Sequence, residues 1–180
     1  MSDMMFKACK LAGVFQIDPV VRQDRRGFLM RTWCEREFST QNLNTRWPQG
    51  NLTQTLGKGS IRGLHWQAEP HPEIKLIRCS SGAIWDVLVD VRRHSPTFGC
   101  WEAFELRAES LQQLYVPAGI AHGFQTLTEV AEVSYLMSDF YVAELARGVR
   151  WNDPRLGIPW PMPAVNLSER DQQLPLLSEL

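Results

Sequence analysis

Two histidines in the middle of the chain stand in company that suits proton chemistry. Ser60-Ile61-Arg62-Gly63-Leu64-His65-Trp66-Gln67 sets an arginine and a histidine around a strand-like run, and Lys75 follows eight residues after Gln67. His122 comes after a Pro-x-Gly turn in Pro117-Ala118-Gly119-Ile120-Ala121-His122-Gly123-Phe124. A neutral imidazole can take a carbon-bound proton near neutral pH when a carboxylate fixes its tautomer. Arginine and lysine can hold phosphate oxygens, one through its planar fork and the other as a point charge. The set points to a sheet-lined pocket with cationic walls, a histidine base and an anionic small-molecule ligand.

Each of these residues also has a plainer reading. His65 suits a structural histidine bonded to a backbone carbonyl, and His122 a rim or strand-end residue. Arg62 and Lys75 suit solvated surface charges. Tyr135 and Tyr141 can donate a phenolic proton, yet Ser134-Tyr135-Leu136-Met137 and Asp139-Phe140-Tyr141 equally suit a core. Asp171 lies in Leu167-Ser168-Glu169-Arg170-Asp171, a polar stretch that composition assigns to the surface. The turn before His122 looks like the second half of a metal-binding cupin signature. His65-Trp66-Gln67, however, lacks a His-x-His pair, which leaves too few nitrogen donors for a closed zinc or iron site. No glycine-rich dinucleotide loop, phosphate-binding loop or Gly-x-Ser-x-Gly elbow is present, so the sequence argues against oxidoreductase, kinase and hydrolase classes.

The elements that must carry these residues read as strands. Short apolar runs at Lys75–Cys79, Ala83–Val91, Trp101–Leu106, Leu111–Val116 and Val130–Leu136 are separated by turn signals such as Ser81-Gly82 and Ser95-Pro96. Many short strands spaced by turns favour a sandwich or barrel. Leu11–Val21 reads as an opening strand and turn, Asp24–Met30 as a turn around Gly27, and Cys34–Leu43 as a short helix. Trp47-Pro48-Gln49-Gly50-Asn51 reads as a break, with strand character resuming at Leu52. From about residue 151 five prolines interrupt the chain, which predicts an irregular segment packed on a single domain spanning 1–180.

Bulk properties exclude several classes. The chain has 180 residues, 44% of them hydrophobic and 22% charged, ordinary usage for one globular domain with its own core. The net charge of -1 comes without a basic tract, so nucleic acid is not expected as a partner. No segment approaches the roughly 20 apolar residues of a membrane span. Four cysteines without a Cys-x-x-Cys unit predict reduced thiols and a cytoplasmic setting.

Ordered motifs over nearly the whole length add to this. Asp24-Arg25-Arg26-Gly27-Phe28, Ile61–Gln67, Lys75-Leu76-Ile77-Arg78, Gly82–Arg92, Ser95-Pro96-Thr97-Phe98-Gly99, Pro117–Phe124, Trp151-Asn152-Asp153-Pro154, Gly157–Pro161 and Leu167–Asp171 run in sequence. In these the chain resembles the dTDP-4-dehydrorhamnose 3,5-epimerase family. The resemblance implies an all-β, cupin-type jelly-roll sandwich or barrel with short peripheral helices, free of metal and cofactor and assembled as a homodimer. It implies epimerisation of dTDP-4-dehydro-6-deoxy-D-glucose at C3 and C5, giving dTDP-4-dehydro-L-rhamnose. Single-centre epimerisation of a related nucleotide-linked 4-keto-6-deoxy sugar is the alternative, and a non-catalytic sugar-nucleotide-binding cupin a further one.

Carried over by the resemblance, His65 is similar to the base, Asp171 to its buried partner, and Tyr135 to the acid on the opposite sugar face. That reverses the surface assignment of Asp171. Arg26, Gln49, Asn51, Arg62, Lys75, His122, Tyr141 and Arg170 are similar to substrate contacts, Arg170 replacing a lysine common in the family. Three positions depart from the family pattern: Arg31 and Ala146 stand where glutamate is common, with Glu144 near the second, and Leu136 where lysine is common.

Overall fold

Alternation along one strand shows how the layers form. In Ala83–Asp90, Ile84 and Leu88 join one apolar cluster while Val87 and Val89 join another. Successive side chains of a strand point to opposite faces. Both faces are therefore covered, which accounts for an unbroken apolar run instead of an alternating one.

The computed structural model describes residues 4–180. Its elements, in chain order, are β1 (Met4–Ala8), β2 (Phe15–Pro19), β3 (Arg22–Asp24), β4 (Gly27–Leu29), α1 (Glu35–Thr40), β5 (Gln49–Leu56), β6 (Ile61–Gln67) and β7 (Lys75–Ser81). They continue as β8 (Ala83–Asp90), β9 (Trp101–Arg107), β10 (Gln113–Val116), β11 (Ile120–Thr126), β12 (Val130–Met137), β13 (Ala146–Gly148) and α2 (Glu169–Gln172). A six-stranded sheet runs β1-β2-β10-β7-β12-β5, a five-stranded sheet runs β13-β6-β11-β8-β9, and β3 pairs with β4. Ile77, Leu114 and Val133 of the first sheet pack against Ile84, Leu106 and Phe124 of the second. This is the all-β jelly-roll sandwich with short peripheral helices.

Several boundaries differ from the sequence expectation. The helix is shorter than Cys34–Leu43, because Cys34 is extended at φ -151° and Asn42 turns left-handed at φ 56°. Gln49–Asn51 belong to β5, since their backbones pair with Met137, Leu136 and Tyr135 of β12. The break is confined to Trp47-Pro48. His65 and His122 both lie within strands, β6 and β11, and neither is at a strand end.

Each outer face has its own cover. Phe38 of α1 packs with Met4, Ile17, Leu76 and Tyr115 on the six-stranded sheet. On the five-stranded sheet, Leu156 and Leu177 pack against Leu64, Val87 and Val89. Asp153, 2% exposed, ties that C-terminal cover together by accepting the backbone N–H groups of Arg155 at 2.7 Å and Leu177 at 2.6 Å. No helix among the described residues is long and apolar enough to cross a membrane.

Candidate active site

Between the sheets lies a cavity of about 690 Å³, walled by β5, β7 and β12 on one side and by β6 and β11 on the other. Asn166, Ser168, Arg170 and Asp171 close one part of it. β6 and β11 approach too closely there for side chains at two positions. A Cβ on Gly63, whose φ is 115°, would stand 2.5 Å from the Gly123 Cα, and one on Gly123 would stand 2.6 Å from the Arg62 carbonyl oxygen. The pairing shifts register between His122 and Phe124, a bulge of the kind that re-aims side chains. His65 and His122 are cross-strand partners, and both line the cavity.

Each histidine is held by its own carboxylate. His65 Nε2 lies 2.6 Å from Asp171 Oδ1, while Asp171 Oδ2 accepts the Gly63 N–H at 3.2 Å. Asp171 is 4% exposed, so the surface placement that its composition suggested does not hold. Its chain neighbours fold into α2, whose cap Ser168 accepts the Asp171 N–H at 3.1 Å, and this turns the carboxylate inward. Burial works to raise the Asp171 pKa. The hydrogen bonds and charge of His65, with the bonds from Gly63 and Ser168, outweigh it and hold the carboxyl below its ordinary value. With Nε2 turned to the carboxylate, Nδ1 is the nitrogen left to take a proton. His122 Nε2 likewise lies 2.7 Å from Asp86 Oδ2, and Asp86 is fully buried with its Oδ1 unpartnered.

Tyr135 faces the cavity from the opposite sheet, on β12 beside Asn51 of β5 and Ile77 of β7. Burial raises its pKa and the Glu73 charge adds to this, against Arg62 and a hydrogen bond with Asn51. The group is therefore a neutral phenol, suited to giving a proton. Base and acid stand on facing walls.

The remaining expected contacts fall into two groups. Gln49, Asn51, Arg62, Lys75, His122, Tyr141 and Arg170 all line the cavity. Arg62 is aimed by Thr55, whose hydroxyl accepts its Nε–H at 2.8 Å, and Tyr141 is held at the rim by its N–H to Gln49 Oε1 at 3.0 Å. Arg26 lies outside the cavity, on the exposed β3–β4 ribbon, paired with Asp24 at 2.6 Å.

Sequence reasoning passed over Glu73, Asp86, Ser168 and Gln67. Glu73 ion-pairs with Lys75, both of them nearly buried. Gln67, 2% exposed, donates to the His71 and Phe140 carbonyls and accepts the Val142 N–H at 2.7 Å, stapling two rim segments. Two of these had a legible signal. Glu73 is two residues before Lys75, and Asp86 stands alone between Ile84 and Leu88 at strand period. Among the described residues, no group of three or more His, Cys, Asp or Glu gathers as a metal site would require.

The family model described as dTDP-4-dehydrorhamnose 3,5-epimerase matches residues 8–179. A dTDP-4-dehydrorhamnose 3,5-epimerase of Sinorhizobium fredii is 42% identical over 181 residues, covering 100% of this chain and 93% of that one. A protein of Streptomyces niveus named dTDP-4-dehydrorhamnose 3-epimerase is 37% identical, over 98% of this chain and 85% of that one. The crystal structure of the 3,5-epimerase from Bacillus anthracis, with TDP and PPi bound, superposes with a TM-score of 0.93 at 38% identity, covering 96% of this chain and 99% of that one. The chain belongs to the dTDP-4-dehydrorhamnose 3,5-epimerase family of isomerases.

Proposed function

We propose that this chain epimerises dTDP-4-dehydro-6-deoxy-D-glucose at C3 and C5, forming dTDP-4-dehydro-L-rhamnose. The observation that carries the reading is the placement of a carboxylate-held histidine and a neutral phenol on facing walls of one cavity. The 4-keto group acidifies the C3 and C5 hydrogens. His65 Nδ1 takes the proton, and the electron pair of the C–H bond moves to the keto oxygen as an enolate. Lys75 and Arg62 supply positive charge for that oxygen as it develops. Tyr135 then gives its phenolic proton to the opposite face of the carbon, which inverts it. Solvent reprotonates the phenolate and removes the proton from His65, so the same groups serve the second centre. Hydrogen is exchanged without net oxidation, and no redox partner is needed.

The chain acts as a homodimer in this reading. Leu52 and Leu56 stand 63% and 62% exposed on the edge strand β5, and Phe28 and Leu29 stand 57% and 70% exposed on the β3–β4 ribbon. Light scattering in solution is expected to give twice the chain mass, and a monomer would refute the assembly.

The deciding experiment is incubation with dTDP-4-dehydro-6-deoxy-D-glucose in deuterated water, followed by mass and proton spectra. Deuterium at both C3 and C5 with an L-configured product is expected. Label at C3 alone would place the chain beside its 3-epimerase relative. No label, with a control epimerase active, would leave a sugar-nucleotide-binding protein.

A further inference from the structure

Among the described residues two carboxylates line the cavity, Asp171 and Glu73. Asp171 serves His65, but the proton transfers above make no use of Glu73. It stands two residues before Lys75, just ahead of β7; both side chains line the cavity, and they form an ion pair with side-chain exposures of 7% and 10%. A buried charge is costly unless it is paired, and removing one member of such a pair leaves the other uncompensated. A lone carboxylate beside a developing enolate would oppose it. Paired, the same carboxylate fixes the end of a flexible four-carbon stem. The Lys75 backbone is already fixed, lying in β7 between Val116 of β10 and Met137 of β12. An ammonium has three donors, and Glu73 leaves two of them for the cavity.

We propose that Glu73 is a positioning residue of this site, holding the Lys75 ammonium at the cavity wall where the 4-keto oxygen of the sugar gathers charge. This rests on the epimerase reading. Its charge has a second reach, to Tyr135, where it adds to burial in favouring the phenol. The other charged or titratable groups lining that cavity, among the described residues, are Lys75 on β7, Arg62 and His65 on β6, His122 on β11, Tyr141 beyond β12, and Arg170 and Asp171 of α2.

The test is the pH dependence of solvent-deuterium exchange into dTDP-4-dehydro-6-deoxy-D-glucose by wild type, Glu73→Gln, Glu73→Asp, Lys75→Met and the double variant E73Q/K75M. E73Q is expected to lower kcat about tenfold with KM within about threefold, a smaller loss than the 10²–10³ expected on deleting the donor in K75M. Its alkaline limb moves to lower pH, because one of the influences favouring the phenol is gone. E73D keeps the charge on a shorter stem. It is expected to lose only about threefold and to keep the wild-type limb. Adding E73Q to K75M is expected to cost no further kcat, because Glu73 acts through Lys75 and its removal also takes away the lone carboxylate, whereas a purely structural role would add in full.

An E73Q protein with native near-UV circular dichroism, an unchanged rate and an unmoved limb would overturn the proposal. Should E73Q fail to fold, an E73D rate equal to wild type would overturn it instead. Wild type that exchanges no label would sink the epimerase reading, and this role with it.

Discussion

Replacing Asp171 by asparagine tests the base directly. The change keeps the side-chain shape and an oxygen for the Gly63 N–H, but removes the charge facing His65 Nε2 at 2.6 Å. When His65 takes the substrate proton it becomes imidazolium, and the charge-assisted bond to Asp171 strengthens at that moment. Hydrogen bonds to charged groups contribute about 1.5–3 kcal/mol. At about 1.4 kcal/mol per tenfold, D171N should lower kcat for exchange between about tenfold and about 150-fold. KM should stay within about threefold, because the lost interaction forms in the transition state. His65→Asn sets the floor, and the double variant H65N/D171N should fall no lower, since Asp171 acts only through His65.

Deuterium exchange measured by mass spectrometry reads all three variants. A D171N rate within threefold of wild type, or losses that add in the double variant, would refute the dyad. Stability gives a second readout. The Asp171 carboxyl is held below its ordinary value, so its contacts stabilise the fold above the unfolded carboxyl range near pH 4 and lose that effect as pH falls through the lower folded value. D171N should therefore melt below wild type at pH 7, with the gap closing under acid.

Tyr135→Phe should abolish epimerised product while label still enters, because His65 still forms the enolate; normal turnover would remove Tyr135 as the acid. Ser168→Ala removes the acceptor of the Asp171 N–H at 3.1 Å and should cost about 1 kcal/mol in thermal unfolding. It should also cost a few-fold in kcat through a loosened Asp171. Asp90 is fully buried, and burial raises its pKa, but bonds from Arg92, Ser95 and Thr97 win and bring it to about 2. Asp90→Asn should lower stability by about 1 kcal/mol at pH 7, a figure discounted for solvent screening at the partly exposed Arg92. That deficit should vanish between about pH 4 and pH 2, as chemical denaturation at each pH would show.

The layers were legible in the sequence wherever apolar residues run at strand period. Lys75–Ser81, Ala83–Asp90, Trp101–Arg107 and Val130–Met137 all form strands close to the expected bounds. The strand-to-strand pairing was not legible. It depends on backbone contacts between distant segments, such as Gln49–Asn51 with Tyr135–Met137, which no local pattern announces. Asp171 shows the same limit at the site. Its neighbours are polar, so composition places it at the surface. A Ser168-capped turn and a contact 106 residues away in sequence bury it against His65.

The three departures from the family pattern have unequal weight, and side-chain direction decides which matter. Leu136 is next to Tyr135 on β12, so it points to the other face of the sheet, where it packs on the cluster of Phe38, Leu76 and Tyr115. Lysine there would point away from the cavity. Arg31 pairs with Glu37 of α1 at 2.6 Å, outside the cavity between the sheets. Ala146 alone lies on the cavity wall, on β13 opposite Gln67 of β6. Glu144, near enough in sequence to stand in for a carboxylate at that point, is exposed on the short turn before β13 and does not line the cavity. The wall beside Gln67 and Trp66 therefore lacks one negative charge, while His65, Asp171 and Tyr135 keep their partners. A change confined to that wall leaves the proton-transfer groups on the facing strands as they are.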